Sequence, residues 1–240
     1  MIEIKNITVT FDDKLVLEDI SCDIEKQKIT SIIGRSGEGK SVLMKTVLGL
    51  IKPRFGDIII DDISIFTQNK QELKTVKSKT AMLFQNSALF DSMDVFQNIG
   101  FPLFEHTKLP LEEIQERVLE LLSLVDLSKE TMNKYPSELS GGMRKRVALA
   151  RAMIQEPEYL IYDEPTTGLD PITAKEITNL IGKIHDKLGM TSIIITHESD
   201  VIKKLSENLI MIDSKQIIFK GDLAGFNNFA HPIAEAFKNS

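Results

Sequence analysis

The chain has 240 residues, with 35 acidic against 29 basic side chains, a formal net charge of −6 and 42% hydrophobic residues. That balance opposes nonspecific binding to nucleic acid or anionic lipid, and no run approaches the roughly 20 apolar residues that cross a bilayer. The single cysteine excludes an internal disulfide or a cysteine-cluster metal site.

Met1-Ile2-Glu3-Ile4 reads as a strand rather than as a secretory leader, so a soluble cytoplasmic protein is expected. Ile2 and Ile4, Ile7 and Val9, then Ile20, Cys22 and Ile24 alternate as strand residues, with Cys22 facing the core. Lys28 to Ile33 reads as a buried strand running into Gly34, and the period from Gly39 to Leu50 is helical. Further strands are expected at Ile58 to Ile60 and Thr80 to Phe84. From about Asp91 to Ile154 the pattern is mainly helical, with Leu111, Ile114, Val118, Leu121, Leu122 and Val125 on one face. Strand character returns at Tyr159 to Tyr162. A helix from about Pro171, a buried strand at Ser192 to Thr196, another helix and a hairpin around Asp213 to Lys220 follow. Strand and helix in alternation imply a largely parallel sheet covered by helices. The helical block, about 91–155, reads as an inserted subdomain within a single domain over 1–240, ending in a tail from about 222 to 240.

Gly34-Arg35-Ser36-Gly37-Glu38-Gly39-Lys40-Ser41, with Val42 next in the binding segment, matches the phosphate-loop pattern at every fixed position, between a buried strand and an amphipathic helix. Glycines let the backbone wrap so that its N–H groups face phosphate oxygens, and the helix presents its positive end to the same anion. In such a loop Lys40 would reach the β- and γ-phosphates of a bound nucleotide and the Ser41 hydroxyl would coordinate Mg²⁺, which leaves kinases, GTPases and ATPases open. Leu139-Ser140-Gly141-Gly142-Met143-Arg144 supplies a second glycine-rich helix start. Ser140 alone reads as an N-cap and the glycine pair as a turn, yet such a terminus is also an anion site. Tyr159 to Tyr162 ends in Asp163-Glu164-Pro165, where Asp163 suits a Mg²⁺ contact and Glu164 suits polarising an attacking water.

With Gln85 after a strand, Thr167-Gly168-Leu169-Asp170, and His197 after Ile193-Ile194-Ile195-Thr196, the chain resembles ABC ATPases over nearly its whole length. The resemblance implies an α/β phosphate-loop core of the ABC ATPase type, with an N-terminal antiparallel β-subdomain and the inserted helical subdomain. It implies a Mg²⁺ and coupling role for Gln85, a γ-phosphate sensor in His197, and a dimer contact at Asp170, which is also an N-cap before Pro171. Phe11 stands where the family stacks an aromatic ring on adenine, with a core or hairpin role as the competing reading. Met143 replaces the commoner glutamine of the signature. His106, His185 and His231 are expected to be solvated.

The resemblance further implies two copies closing head to tail over two ATP molecules, each phosphate loop facing the partner's Ser140-Gly141-Gly142, and a separate polytopic permease. The wording of Gly37 to Lys45, Gln85 to Asp91 with Asn98-Ile99, and Leu139 to Ala152 is similar to the ATPase subunits of Mla-type phospholipid transporters. Those systems work with MCE-domain proteins at the inner membrane, whereas Thr166 to Asp170 follows the general ABC form. Another cargo, or a non-transport assembly machine, are the rival readings. The aromatic stretch from Phe84 to Glu105 fits internal packing, a groove for a permease helix, or both. Phe226, Phe229 and Phe237 fit docking of the tail on its own domain or contact with a second copy or a small regulatory partner.

Overall fold

Two sheets share the core of the computed structural model, which describes residues 1–238. The first is antiparallel, in the order β2 (Lys14–Ile24), β1 (Ile2–Phe11), β4 (Phe55–Ile60), β5 (Ile63–Ser64). The second comprises β3 (Ile29–Ile33), β6 (Thr80–Leu83), β7 (Tyr159–Asp163), β8 (Thr191–Ile195), β9 (Asn208–Asp213) and β10 (Gln216–Asp222). Its order is β10-β9-β3-β8-β7-β6, parallel throughout except for the β9–β10 hairpin.

Strands β3, β7 and β8 are buried at every residue, as a parallel sheet covered on both faces requires. The antiparallel strands alternate, but Ile4 to Ile7 and Leu17 to Ile20 break the period of two. Paired irregularities restore the phase. Asn6 and Asp19 both adopt left-handed backbone, φ 50° each, and Asn6 Nδ2 donates to Asp19 Oδ1 at 2.8 Å. Gly56 lies against this bulge, where an added Cβ would sit 2.4 Å from the carbonyl oxygens of Lys5 and Asn6.

Helix α1 (Lys40–Val47) follows β3, and α2 (Lys70–Ser78) precedes β6. Between β6 and β7 run α3 (Val95–His106), α4 (Leu111–Leu124) and α5 (Gly141–Met153). Asp94 and Gln97 form a capping box at the start of α3. Buried Asn98 accepts from Phe90 N at 2.8 Å and donates to the carbonyls of Phe90, Met93 and Asp94, fixing the segment that leads into the helix. The α4 face is narrower than its sequence suggests. Ile114, Val118, Leu122 and Val125 are buried, but Leu121 is only partly so and Leu111 is 57% exposed, because the first turn extends past the packing surface.

Helix α6 (Pro171–Leu188) precedes β8, and α7 (Ser199–Leu205) follows it. The C-terminal α8 (Leu223–Asn228) and α9 (Pro232–Lys238) pack on the sheet through Phe226, Ile233 and Ala234 against Ile33, Leu209 and Met211, with Phe229 and Phe237 alongside. The tail therefore docks on its own chain.

The two sheets are tied together at Asp61, in the β4–β5 turn. One carboxylate oxygen takes Lys26 Nζ at 2.7 Å and the Tyr159 hydroxyl at 2.6 Å, the other takes Lys79 Nζ at 2.6 Å, and the Met1 amine joins them. Burial pushes this carboxyl up, but the donors from Lys26, Lys79, the Met1 amine and Tyr159 outweigh it and hold it far below the ordinary range. A depressed carboxyl stabilises the fold above its unfolded pKa of about 3.9 and loses that contribution as pH falls below it. Asp61→Asn should therefore cost about 2 kcal/mol in urea unfolding at neutral pH, with the gap to the parent constant down to about pH 5 and closing below about pH 4.

Candidate functional site

Because β3, β8, β7 and β6 run parallel, the segments leaving their carboxyl ends emerge along one edge of the sheet. β3 delivers Gly34, whose φ is 151°. An added Cβ there would lie 2.2 Å from the carbonyl oxygen of Ile212 in β9, so no side chain fits. The chain then turns, with Glu38 N donating to Arg35 O at 3.4 Å, passes Ser36 and Gly37, and enters α1 through left-handed Gly39. No side chain caps α1, so the first-turn N–H groups around Lys40, Ser41 and Val42 are free to meet an anion.

Lys40 is buried, and its ammonium donates to the carbonyls of Gly34 and Arg35, both at 2.8 Å. Burial lowers its pKa, opposed by the charges of Glu164, Glu38 and Asp163. A buried cation held by neutral carbonyls beside an uncapped helix start fits the phosphates of ATP. Ser41 Oγ donates to Asp163 Oδ1 at 3.0 Å. Burial pushes the Asp163 carboxyl up, the Ser41 hydrogen bond opposes this, and neighbouring Glu164 adds to the rise. A hydroxyl and a half-desolvated carboxylate in contact are hard oxygen donors suited to Mg²⁺. Gln85 is exposed two residues beyond Leu83, whose register partner Tyr162 precedes Asp163, so it occupies the same sheet edge.

Glu164 adopts left-handed backbone, φ 50°, and its N–H donates to Ile195 O at 3.0 Å, tying the end of β7 to the end of β8. Its carboxylate lies 2.8 Å from His197 Nδ1 and accepts from Thr167 Oγ1 at 2.9 Å. The carboxylate is 13% exposed while the His197 ring is 56% exposed, so the pair faces outward through the histidine. A cavity of about 790 Å³ opens beside it, lined by Thr167, Gly168 and His197 among others. A larger one, about 1040 Å³, lies elsewhere, between the ends of α4, α5 and α6, and includes none of the predicted site residues.

Phe11 ends β1 with 45% of its surface exposed. Val16 and Leu17 of the adjoining strand abut Gly39, which brings this hairpin up to the loop. Ser140 caps α5, its hydroxyl accepting from Met143 N at 3.2 Å. An added Cβ on Gly142 would lie 2.5 Å from Thr173 Cγ2, so the start of α5 rests directly on the start of α6, while Gly141 is close to Leu169. Asp170 caps α6, accepting from the N–H groups of Ile172 and Thr173 at 3.1 Å. Hydrogen bonds to Thr173 and Ile172 lower its pKa. Among the described residues no hydrogen bond or ion pair joins Ser140–Gly142 to Gly34–Ser41.

Sequence reasoning quoted Thr167 only as part of a motif and gave Lys145 no role; the Lys145 ammonium donates to Gln85 O at 2.6 Å and Glu164 O at 3.4 Å. Thr167 was within reach, being three residues from Glu164 in a turn, whereas nothing local marks Lys145. One histidine departs from expectation, and a second gains a ring contact while staying partly exposed. His185 is 12% exposed, with Nδ1 3.4 Å from Ser192 Oγ and Nε2 3.8 Å from Glu207, because its helix face turns toward β8. His231 stacks on Phe229 at 5.6 Å as the tail folds back.

A glycine loop between a buried strand and an uncapped helix, with a serine–aspartate contact behind it, defines a phosphate-loop nucleoside triphosphatase. The family model described as ABC transporter matches residues 17–167. The chain belongs to the ABC transporter family, as an ATP-binding and ATP-hydrolysing subunit that uses Mg²⁺. It is 40% identical over 244 residues to the methionine import ATP-binding protein MetN of Carboxydothermus hydrogenoformans, covering 100% of this chain and 72% of the relative. It is 37% identical to the probable ribonucleotide transport ATP-binding protein mkl of Mycobacterium leprae, covering 99% and 68%. Among solved structures, the dimeric ATP-binding cassette MJ0796 in a post-hydrolysis state bound to ADP and Pi superposes with a TM-score of 0.84 at 30% identity, covering 93% of this chain and 99% of that one. CbiO1 from Clostridium perfringens, part of the ABC transporter complex cbiONQ, gives 0.83 at 31% identity, covering 92% and 88%. Among the described residues no helix is long and apolar enough to cross a membrane.

Lys40→Met should lower affinity for Mg-ATP by at least about tenfold, since a charge-assisted phosphate contact is removed. The melting temperature should hold or rise, because a buried ammonium is replaced by an apolar chain of similar length. Nucleotide titration and a thermal melt on the same sample check both.

Proposed function

We propose that this subunit is the motor of a phospholipid transporter, working as a head-to-tail pair of copies on a separate permease at the cytoplasmic face of the inner membrane. In this reading the chain is a single nucleotide-binding domain, with residues 91–155 as its inserted helical part. The observation that carries the paired arrangement is the separation of Ser140–Gly142 from the chain's own phosphate loop. A glycine-rich helix start has no anion to serve within one chain, and a second copy supplies one.

Each residue then has a task. The backbone of Gly34, Arg35, Ser36, Gly37, Glu38, Gly39 and Val42 cradles the phosphates, and Lys40 leaves its carbonyl partners for the β- and γ-phosphates. Ser41, Asp163 and Gln85 hold Mg²⁺, which neutralises charge on the phosphates when bound. Glu164 orients and polarises the attacking water, steadied by Thr167 and His197, and His197 also faces the γ-phosphate. Phe11 stacks on adenine. Ser140, Gly141, Gly142 and Asp170 complete the site of the opposite copy.

Cargo is argued from the wording of the segments around the loop, Gln85 and the signature, which is similar to Mla-type ATPases. An MCE-domain protein and a small regulatory subunit are the further partners of that reading. The relatives named for methionine import and for ribonucleotide transport are 40% and 37% identical to this chain. So the ATPase sequence follows cargo only weakly, and another substrate is the second reading.

Glu164→Gln should keep ATP affinity, lose at least about 100-fold in turnover, and accumulate a closed dimer seen by light scattering. Near-normal turnover would remove Glu164 as the base. Capture of the subunit from detergent-solubilised native membranes, read by mass spectrometry, tests the cargo. A polytopic permease with an MCE-domain protein supports lipid transport, and a permease without one discards it. A soluble scaffold in place of any permease overturns the transporter assignment itself.

A further inference from the structure

Lys145 lies on the helix that starts at Ser140–Gly142, and it is 5% exposed. Among the described residues it has no ion-pair partner; its ammonium is held by two backbone carbonyls, Gln85 O at 2.6 Å and Glu164 O at 3.4 Å. A buried ammonium served by neutral acceptors is costly, and an apolar residue of the same length would pack there without that cost. The two carbonyls belong to segments leaving different strands, β6 and β7. Each belongs to a residue whose side chain faces the nucleotide in the proposed function.

A second cation of the same helix acts on the first of these segments. Arg151 donates to Ala88 O at 2.8 Å and Ser87 O at 2.9 Å, and its guanidinium sits 5.6 Å over the Phe90 ring. Ser87 and Ala88 both hold left-handed backbone, φ 61° and 48°, a conformation that non-glycine residues keep only when their surroundings impose it. Helix α5 therefore grips residues 85–88 at three carbonyls and reaches the Glu164 peptide with the same Lys145 that holds Gln85.

We infer that Lys145 is a positioning residue for ATP hydrolysis: by clamping the Gln85 and Glu164 carbonyls it fixes those two side chains relative to one another and to the helix that carries the signature. Burial lowers the ammonium's pKa, and the charges of Asp163, Glu164 and Glu198 oppose that shift. The inference rests on Glu164 as base, so the two are tested side by side.

The full chain is compared as parent, K145M, K145R, E164Q and the E164Q/K145M double variant. Steady-state phosphate release at saturating Mg-ATP gives turnover, ATP titration gives affinity, and a thermal melt reports the fold. K145M should lose about 100-fold in kcat, the scale of a small misplacement of reacting groups. Its ATP affinity should stay within about threefold of the parent and its melting temperature should not fall. K145R should recover most of the lost rate, because it restores a cationic donor. The double variant should be no slower than E164Q, since both changes remove the same act. K145M turnover within about threefold of the parent overturns the inference, as does a joint fall in rate, affinity and melting temperature that K145R fails to relieve. Near-parental turnover of E164Q strikes the Glu164 reading instead, whatever K145M does.

Discussion

Parallel pairing of β3, β8, β7 and β6, with side chains buried on both faces, leaves the outgoing loops one place to go. Gly34, His197, Asp163–Glu164 and Gln85 come from four strands spread over most of the chain, yet they emerge along a single edge. The antiparallel sheet and the tail enclose that arrangement. One buttresses Gly39 through Val16 and Leu17, and the other covers Ile33, Leu209 and Met211 on the sheet face.

The charges along this edge are held in a characteristic way. Lys40 and Lys145 are buried on carbonyls rather than on carboxylates, and Asp163 is desolvated beside a hydroxyl rather than beside a cation. Among the described residues none of the three has an ion-pair partner in contact; opposite charges act on each only from further away. A polyanion with its divalent counterion would give Lys40 and Asp163 such partners, so the site reads as a nucleotide site from electrostatics as well as from motif. The Asp61 cluster is the opposite case: its carboxylate is saturated with donors and ties the two sheets together.

Much of this was legible in the sequence, for physical reasons. A phosphate loop is restricted in residue type and spacing, so Gly34–Ser41 stood out from its pattern alone, while Asp163–Glu164 and His197 were read from the ends of apolar strands and from the family resemblance. Strands buried on both faces announce themselves as apolar runs, and all three fully buried ones were found. What stayed hidden depends on partners distant in sequence. The skip from Ile4 to Ile7 reads as a flaw in alternation until Asp19 is seen completing the bulge. His185 looks like a surface histidine until Ser192 and Glu207 lie beside it. Lys145 looks like one more solvated charge in a basic run, and only the fold turns it inward.

Gly142 against Thr173 is a joint without clearance. The close seat exists because position 142 is a glycine: one methyl group there would collide with the threonine, so an alanine would have to push the start of α5 off the start of α6. The smallest residue thus sets how near the two helix starts, capped by Ser140 and Asp170, can come to one another.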